Sequence, residues 1–459
     1  GNGYPVRLYA FDAAGNNDYC TVIVEIQQNA STPCDGGGEV GDLAGIIVDG
    51  QMNAIEGVTV NLNESGGLNR NFVTTEDGTF SFTGLPLGDD YTVSPSHYED
   101  YLNGVRTSDI VGITGHILST IPLDNPYNML AADVDGNASI DVGDIISIRR
   151  LILGQIDGFP ANMPSWMFIP ADYEFPASLN PWETAFPTVS NHNDLAGNII
   201  DVDFIGIKLG DVNQTAQPNS LVSGVPRSLN GTLELEVEEI AMRQGETYRV
   251  PVSAAALTEV DGYQFTLEFD QTALEITNIE PGLVSAGNFG WNFAERGLIT
   301  TSWNWTGSTV PANWTGEEVL FTLVVRANAG DNLSEGLDIS SRFTAAEAYE
   351  RNTGNLRNLA LVFNEIDVEN GSNELCQNTP NPVRNQTAIS FHLTPAQAEV
   401  VISIRDAAGR TIREFTQEGT AGYNSLVVDN RMLNNAAGVY SYTVTAGGWV
   451  ATKRMIVLR

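Results

Sequence analysis

Short segments in which apolar and polar side chains alternate run through most of this 459-residue chain, with turn residues between them. Examples are Thr79–Phe82, which follows the Asp77-Gly78 turn, and Thr232–Val237. Period-two segments bounded by turn signals predict half-buried β-strands, and the 45 glycines and 20 prolines supply turns for many of them. We therefore expect a mainly β protein of tandem β-sandwich domains, with one small α-helical insert where the period changes.

Charge and composition exclude several classes of function. The chain has 57 acidic and 22 basic residues, a formal net charge of −35. Such a surface repels a phosphate backbone, so we expect no nucleic acid as a partner. No run of eighteen apolar residues occurs, so we expect no transmembrane segment. The chain opens on Gly1-Asn2-Gly3, which we interpret as the trimmed start of a C-terminal piece.

The first hundred residues predict two strand modules. Residues 1–28 form two alternating segments around a turn, and they resemble the last hairpin of an immunoglobulin-like repeat. Residues 29–38 predict a linker. Residues 39–96 resemble a carboxypeptidase-regulatory-like β-sandwich in the Asp77-Gly78 turn, the alternating aromatics after it and the exit Leu85–Tyr91. This resemblance implies a spacer domain without catalysis.

The period changes to a helical one between residues 97 and 155. Isoleucines on one face predict two helices: Ile110, Ile113 and Ile117 in the first, and Ile145, Ile148 and Ile152 in the second. Both helices begin at an aspartate, Asp109 and Asp144, 35 positions apart. This duplicated loop–helix unit resembles a dockerin, so we assign 97–217 to a dockerin-like, EF-hand-type module and 218–228 to a linker. Residues 201–213 are expected to close it as a third short helix.

One twelve-residue loop in this module has the spacing of a calcium site. Oxygen-bearing side chains occupy positions 1, 3, 5, 7, 9 and 12, namely Asp133, Asp135, Asn137, Ser139, Asp141 and Asp144. Calcium takes six to eight oxygen ligands, and this spacing wraps carboxylates, an amide and a carbonyl around one ion. Ala138 stands at position 6, where EF-hands usually have glycine. The alternative is an acidic turn in which Asp144 caps its helix.

Further acidic residues predict weaker calcium candidates. When Asp109 is placed at position 12 of the first copy, its loop retains Asp100 but has lost most other ligand oxygens, so we expect weak calcium binding or none. A third cluster comprises Asp201, Asp203, Asp211 and Asn213. For this third cluster, helix capping and solvation are the favoured alternative to a metal site.

Residues 229–366 return to strand alternation. The segment Val250–Ser253, the segment Val260–Asp270 and Leu274–Ile276 resemble the opening of a cohesin domain. The resemblance implies a β-sandwich that contacts dockerin-like partners, within this chain or between chains. Residues 367–373 predict a linker to the last module.

The last module, residues 374–459, resembles a type A sorting domain of the type IX secretion system. Its most specific motif is Asn-x-Pro-Asn-Pro, with Asn378, Pro380, Asn381 and Pro382. The resemblance implies that the type IX translocon reads this domain and that the protein reaches the outer surface or exterior of a Gram-negative bacterium. The alternative is a last structural repeat, since short strands with tight turns would also build one.

No motif of an enzyme occurs: the chain has no His-Glu-x-x-His, no Gly-x-Ser-x-Gly, no phosphate loop and no Cys-x-x-Cys. We therefore expect a non-catalytic, structural or adhesive surface protein stiffened by calcium. One rival hypothesis makes these modules the export and display part of a larger secreted hydrolase whose catalytic domain lies upstream. Another makes the chain a subunit of an extracellular filament joined by cohesin–dockerin-like contacts.

Overall fold

The structure is a computed structural model of the whole chain. Within its described residues the protein is mainly β, as the sequence predicts, and no helix there combines the length and apolarity needed to cross a membrane. The described residues are 3–11, 17–25, 39–65, 67, 69–177, 179–220, 231–306, 318–364, 373–378, 381–383, 386–394, 396–419, 422–433 and 436–458. The predicted linkers 29–38 and 218–228 lie wholly or mostly outside them, as does all of 367–373 except its last residue.

The chain begins with an antiparallel hairpin. Its strands are β1 (Gly3–Phe11) and β2 (Asn17–Glu25), and their register pairs Gly3 with Glu25 and Phe11 with Asn17. An isolated hairpin is marginally stable in water. The hairpin matches the two strands predicted within 1–28.

Two four-stranded sheets follow and form the first sandwich. The orders are β6-β3-β10-β8 and β5-β4-β7-β9. The strands are β3 (Val40–Asp49), β4 (Thr59–Glu64), β5 (Asn69–Val73), β6 (Thr79–Pro86), β7 (Tyr91–Ser96), β8 (Trp166–Pro170), β9 (Ser190–His192) and β10 (Phe204–Lys208). Their alternation buries Phe80 and Phe82 in one core with Leu43, and Gly78 adopts the left-handed φ of +67° that the turn before β6 requires.

This topology corrects the boundary expected at residue 96. Strands β8, β9 and β10 come from the region assigned to the dockerin-like module, yet they complete the two sheets of the first sandwich. The prediction of a third helix at 201–213 is therefore wrong, because Phe204–Lys208 is strand β10, which pairs with both β3 and β8. Gly206 allows this close packing, since a Cβ there would lie 2.3 Å from Ile55 Cδ1.

Between β7 and β8 the chain forms the helical module, residues 97–165. Its helices are α1 (Thr107–Ile117), α2 (Pro126–Ala132) and α3 (Val142–Ile152). Ile110 and Ile113 of α1 are fully buried with Ile148 and Ile152 of α3, whereas Ile117 is exposed at the end of its helix. The two predicted helices are thus present, and they pack through the predicted faces. A short 3-10 turn, Pro160–Asn162, leads to β8.

Residues 231–306 and 318–364 form the second sandwich. Its strands follow the path β14-β17-β12-β11-β20-β19-β13-β16-β15, and β18 pairs with β13 beside that path. The strands are β11 (Thr232–Glu238), β12 (Thr247–Ser253), β13 (Val260–Phe269), β14 (Leu274–Pro281), β15 (Phe289–Gly290), β16 (Leu298–Asn304), β17 (Val319–Ala327), β18 (Leu337–Ser340), β19 (Glu347–Glu350) and β20 (Leu356–Asn364); the short helix α4 is Leu333–Gly336.

The chain ends in a smaller tail sandwich. A three-stranded sheet of order β21-β22-β25 faces a four-stranded sheet of order β24-β23-β26-β27 across a common core. The strands are β21 (Glu374–Leu375), β22 (Gln386–Leu393), β23 (Gln397–Arg405), β24 (Thr411–Gly419), β25 (Gly422–Asp429), β26 (Gly438–Ala446) and β27 (Trp449–Val457).

Candidate metal sites and a helix–sandwich interface

The twelve-residue loop predicted to bind calcium joins α2 to α3, and we call residues 133–144 the contiguous loop. Three of its carboxylates converge: Asp133, Asp135 and Asp144 each place an oxygen within 4.8 Å of the others. Asp144 is fully buried and Asp133 nearly so. Asn137, Ser139 and Asp141 lie on the exposed side of the loop. The arrangement gathers hard oxygen donors of the kind calcium prefers.

Backbone N–H groups hold the two buried carboxylates of the contiguous loop. Asp133 accepts from Asn137 N at 3.1 Å through Oδ1 and from Ala138 N at 2.9 Å through Oδ2. Asp144 accepts from Val134 N and from Asp141 N, both at 2.9 Å. The bond from Asp141 N also belongs to a capping box at the start of α3, so helix capping and convergence of the carboxylates occur together.

Position 6 of an EF-hand loop is usually glycine, and in the contiguous loop it is Ala138. Ala138 at position 6 has a φ of +65°, and Gly136 at position 4 has a φ of +70°. A left-handed backbone strains an alanine by about 1–2 kcal/mol relative to a conformation without positive φ. The loop therefore keeps its turn at some cost in stability despite the missing glycine.

Burial sets the electrostatics of the contiguous loop. It raises the pKa of Asp144 to about 6, and the charges of Asp135 and Asp133 act in the same direction. Burial likewise raises the pKa of Asp133, against the hydrogen bonds from the loop backbone that lower it. Burial and mutual repulsion disfavour the ionised forms of these neighbouring carboxylates. A cation bound between them would offset their negative charge, so the arrangement favours cation binding.

A second carboxylate pair repeats this pattern with residues from two distant segments. We call residues 104–109 and 211–216 together the split loop. Asp211 accepts from Thr215 N at 3.0 Å and from Ala216 N at 2.7 Å, the same four- and five-residue offsets as around Asp133. Asp109 accepts from Val212 N at 3.0 Å and from Arg106 N at 2.9 Å, as Asp144 does from Val134 and Asp141.

The correspondence continues along the split loop. Asn213 occupies the place of Asp135, and its amide also donates to Ser108 Oγ at 3.0 Å. Thr215 occupies the place of Asn137, and its hydroxyl donates to Gly104 O at 3.1 Å. Asp109 is fully buried and Asp211 nearly so. Burial raises the pKa of Asp109 well above its usual range, and the charge of Asp211 raises it further.

The structure therefore groups the weaker candidates differently from the sequence. Asp109, Asp211 and Asn213 meet in the split loop. Asp100 lies in an exposed turn before α1, and Asp201 is exposed before β10. Asp203 accepts from Ile46 N at 2.8 Å and thereby bridges to β3. One signal for the split loop was present in the sequence, because Asp211, Asn213 and Thr215 repeat positions 1, 3 and 5.

The N-terminal end of α1 contacts the second sandwich through buried polar groups. Thr107 N donates to Gln264 Oε1 at 2.7 Å, and the Thr107 hydroxyl lies 2.7 Å from Ser302 Oγ. Arg106 forms an ion pair of 3.1 Å with Glu347. Residues 106–109 thus close the split loop and join it to the sandwich at the same time.

The C-terminal end of α3 completes this helix–sandwich interface. Thr300 Oγ1 donates to Leu153 O at 2.8 Å, and Thr344 Oγ1 donates to Ile152 O at 2.9 Å. Gly154 has a φ of +64°, and a Cβ there would lie 2.5 Å from the Phe293 ring. Orphan carbonyls at a helix end need donors, and here threonine hydroxyls of the second sandwich supply them.

The sorting motif is fixed within the tail sandwich. Asn378 is 1% exposed; it donates through Nδ2 to Thr387 Oγ1 at 2.9 Å, and its backbone N donates to Tyr442 Oη at 2.7 Å. Asn381 Oδ1 accepts from Ile456 N at 2.8 Å, and the Asn381–Pro382 peptide is cis. Pro380 lies outside the described residues. Asn378 and Asn381 thus make polar contacts within this module.

Two family models match parts of the chain. Residues 233–354 match the Cohesin domain, and residues 379–458 match the Secretion system C-terminal sorting domain. The chain carries a cohesin domain and a type IX sorting domain. The second sandwich contains the first match and the tail sandwich contains the second, so both resemblances predicted from the sequence are confirmed. Neither domain is a catalytic module, and the sorting domain marks the protein as secreted cargo of the kind found in Bacteroidetes.

Solved cohesin structures are similar to part of the chain, while no curated protein matches it. The Coh-OlpC–Doc435 cohesin–dockerin complex from Clostridium thermocellum is 15% identical, covers 31% of this chain and 99% of its own, and has a TM-score of 0.24. The third ScaC cohesin of Acetivibrio cellulolyticus, in complex with the ScaB dockerin, is 16% identical, covers 28% and 93%, and has a TM-score of 0.22. The seventh ScaB cohesin of Pseudobacteroides cellulosolvens is 17% identical, covers 29% and 89%, and has a TM-score of 0.21.

Proposed function

We propose that this chain is a non-catalytic surface scaffold, structural or adhesive, in which the helical module acts as a calcium-bound, dockerin-like element locked onto the cohesin domain of the same chain. The observation that carries the proposal is the helix–sandwich interface. Its polar groups are largely buried, including Thr107, Gln264 and Ser302. Buried polar groups that find partners specify one arrangement, because leaving any of them unpaired costs about 1–3 kcal/mol.

Calcium is the cation that suits both loops. Each offers carboxylate, amide or hydroxyl oxygens, with no thiol or imidazole in the set. In the contiguous loop Asp133, Asp135 and Asp144 would supply carboxylates, with Asn137, Ser139 and Asp141 on the open side. In the split loop Asp211, Asn213 and Thr215 would occupy positions 1, 3 and 5 and Asp109 position 12. A divalent ion would offset the mutual repulsion of Asp109 and Asp211.

The rival filament hypothesis makes a different use of the same surfaces. Joining chains through cohesin–dockerin-like contacts would require α1 and α3 to leave their own cohesin domain and bind that of a neighbour. The contacts within the chain favour the locked scaffold. Thr107 N of α1 donates to Gln264 of β13, and Arg106, just before α1, bonds to Glu347 of β19. The display-module hypothesis assigns catalysis to residues upstream and predicts the same behaviour for this chain.

Hydrogen exchange of the full chain, with calcium or with a chelator, tests the proposal. We expect calcium to slow exchange in α1, α3 and the strands they contact, β13 and β16, at every protein concentration. A locked chain stays monomeric by light scattering in both states. Protection from exchange that increases with protein concentration would support the filament hypothesis instead. Equal exchange rates with calcium and with chelator would refute the proposal that calcium holds the helical module on the cohesin domain.

A further inference from the structure

A second set of metal-binding side chains lies far from the helical module, where the cohesin domain meets the tail sandwich. Glu238, Cys376 and His392 each place one potential ligand atom within 4.8 Å of the others. Cys376 Sγ lies 3.9 Å from Glu238 Oε1, and His392 Nε2 lies 3.9 Å from Glu238 Oε2. These three side chains belong to neither calcium loop, and the sorting motif leaves them unexplained.

Two modules contribute to this cluster, and the backbone fixes each part. Glu238 ends β11 of the cohesin domain. Cys376 directly follows β21, and His392 belongs to β22, which pairs with β21 so that Glu374 faces His392. Cys376 N donates to Ser390 O at 2.9 Å, and Tyr442 Oη donates to Cys376 O at 2.8 Å. The thiol and the imidazole are therefore held side by side by one sheet before any ligand binds.

We propose that Glu238, Cys376 and His392 bind one zinc ion that fastens the cohesin domain to the tail sandwich. Zinc accepts sulfur, nitrogen and oxygen ligands in a tetrahedral set with metal–ligand distances of about 2.0–2.3 Å. Ligand atoms of such a set lie about 3.3–3.8 Å apart, so the two observed separations of 3.9 Å need only a small inward shift. Calcium does not suit this set, because it prefers oxygen ligands alone.

The electrostatic surroundings of Cys376 argue against a role as a nucleophile. Burial raises the pKa of the Cys376 thiol to about 12, and the charges of Glu238 and Glu374 act in the same direction. A thiol of this kind is protonated at neutral pH and is a weak nucleophile. On zinc binding the thiol releases its proton to solvent and the sulfur forms the bond to the metal. One thiolate, one carboxylate and one neutral imidazole then balance the two positive charges.

Space for a fourth ligand is present. A cavity of about 260 Å³ lies beside the cluster and is lined by Glu238, Ser253, Cys376 and Ser390 among others. It has room for the water that completes a zinc site with three protein ligands. Arg249 also lines the cavity, but its guanidinium is held 3.0 Å from Glu280. That ion pair reduces the repulsion that Arg249 would exert on an incoming cation.

The test uses the full chain with Cys20→Ser and Cys34→Ser, saturated with calcium so that the oxygen loops are occupied, and titrated with Co²⁺ and then Zn²⁺. We expect one equivalent of cobalt with a thiolate-to-metal charge-transfer band, displacement of that band by zinc, and release of about one proton per zinc. Cys376→Ser should abolish the band, and Glu238→Gln and His392→Asn should each weaken zinc binding at least tenfold. Zinc should also slow alkylation of Cys376 at least tenfold.

Glu374→Gln is the matched control, because this exposed carboxylate neighbours the cluster but is outside the ligand set. It should keep the cobalt band and the binding of one zinc ion per chain. Absence of the cobalt band in the parent chain, or equal zinc affinity in the parent and the Cys376→Ser variant, would overturn the proposal. The band and the alkylation rate of the parent chain decide the question even where a variant fails to fold.

Discussion

The contiguous loop and the split loop hold their carboxylates in the same way but by different routes through the chain. In the first, Asp133 and Asp144 are eleven residues apart, whereas in the second Asp109 bonds Val212 across 103 residues. They also differ in position. The split loop adjoins the residues of α1 that contact the cohesin domain, while the contiguous loop lies at the opposite end of α3 from its contacts, about 15 Å along the helix. Two loops with the same local geometry can therefore have different roles in this protein.

The largest difference should appear when position 1 of each loop is removed. In calcium, we expect Asp211→Ala to lower the free energy of unfolding by about 2–4 kcal/mol, because it leaves two partly buried N–H groups unpaired and releases the residues that join α1 to the cohesin domain. Asp133→Ala is the matched control, and it should expose the α1 contacts less. Urea unfolding followed by hydrogen exchange of α1 measures both; equal loss of protection in the two variants would contradict the division of roles.

Chelation should make the stability of the chain depend on pH through both loops. The pKa of Asp144 is raised to about 6, and that of Asp109 is raised as well. A carboxyl whose pKa is higher in the folded chain binds protons more tightly there, so the free energy of unfolding should rise as pH falls from about 7 to about 4. Because protons compete with the cation, calcium affinity should fall over the same range.

Thermal melts at several pH values, with chelator and with calcium, check this dependence. Asp144→Asn should flatten the pH dependence in chelator, since the group no longer titrates. A melting temperature in chelator that drops steadily from pH 7 to pH 5 would count against raised carboxyl pKa values in these loops.

A smaller effect is expected at the interface itself. Thr107→Val keeps the backbone bond to Gln264 but loses the hydroxyl contact with Ser302, which should cost about 1 kcal/mol. The variant should also weaken the protection that calcium gives to β16. Thr120 lies beyond the C-terminal end of α1, and its hydroxyl donates a hydrogen bond to Gly115 O. Thr120→Val removes this hydrogen bond, serves as the control and should leave the protection of β16 unchanged. Equal protection of β16 in both variants would argue against coupling through Thr107.

The smallest effect concerns position 6. Ala138→Gly removes left-handed strain of about 1–2 kcal/mol but gives the unfolded chain more freedom, so we expect a net gain of about 0.5 kcal/mol and tighter calcium binding. Ala216 occupies the matching place in the split loop without a positive φ, so Ala216→Gly should be destabilising. Calorimetric titration and urea unfolding compare the two. If both variants were stabilised, or both destabilised, the two loops would not differ in backbone strain at position 6.

The sequence predicted those features whose signal lies in neighbouring residues. Alternation gave the strands of the cohesin domain, and the spacing from Asp133 to Asp144 located the contiguous loop. The pairing of Asp211 with Asp109 in the split loop could not be predicted, because the two halves of this loop meet only after β10 has returned to the first sandwich. The strand β10 itself was expected to be helical, because a short apolar run such as Phe204–Leu209 fits a buried strand and a buried helix equally well.

Contacts between modules were likewise beyond the sequence. Thr107, Gln264 and Ser302 are ordinary polar residues in their own segments, and their partners are fixed only by how α1 packs on β13 and β16. The residues of the proposed zinc site are also brought together only by tertiary packing, since most of the cohesin domain separates Glu238 from Cys376 in the sequence. Each of these sites depends on tertiary packing that no local pattern encodes.

Calorimetric titration of calcium into the metal-free full chain tests the central claim most directly. We predict that the parent chain binds two calcium ions and that the Asp211→Asn and Asp133→Asn variants each bind one. The helix–sandwich interface should lose its protection against hydrogen exchange only in Asp211→Asn. One ion in the parent chain that persists in Asp211→Asn would show that the split loop binds no calcium, and no ion at all would contradict the account of both loops.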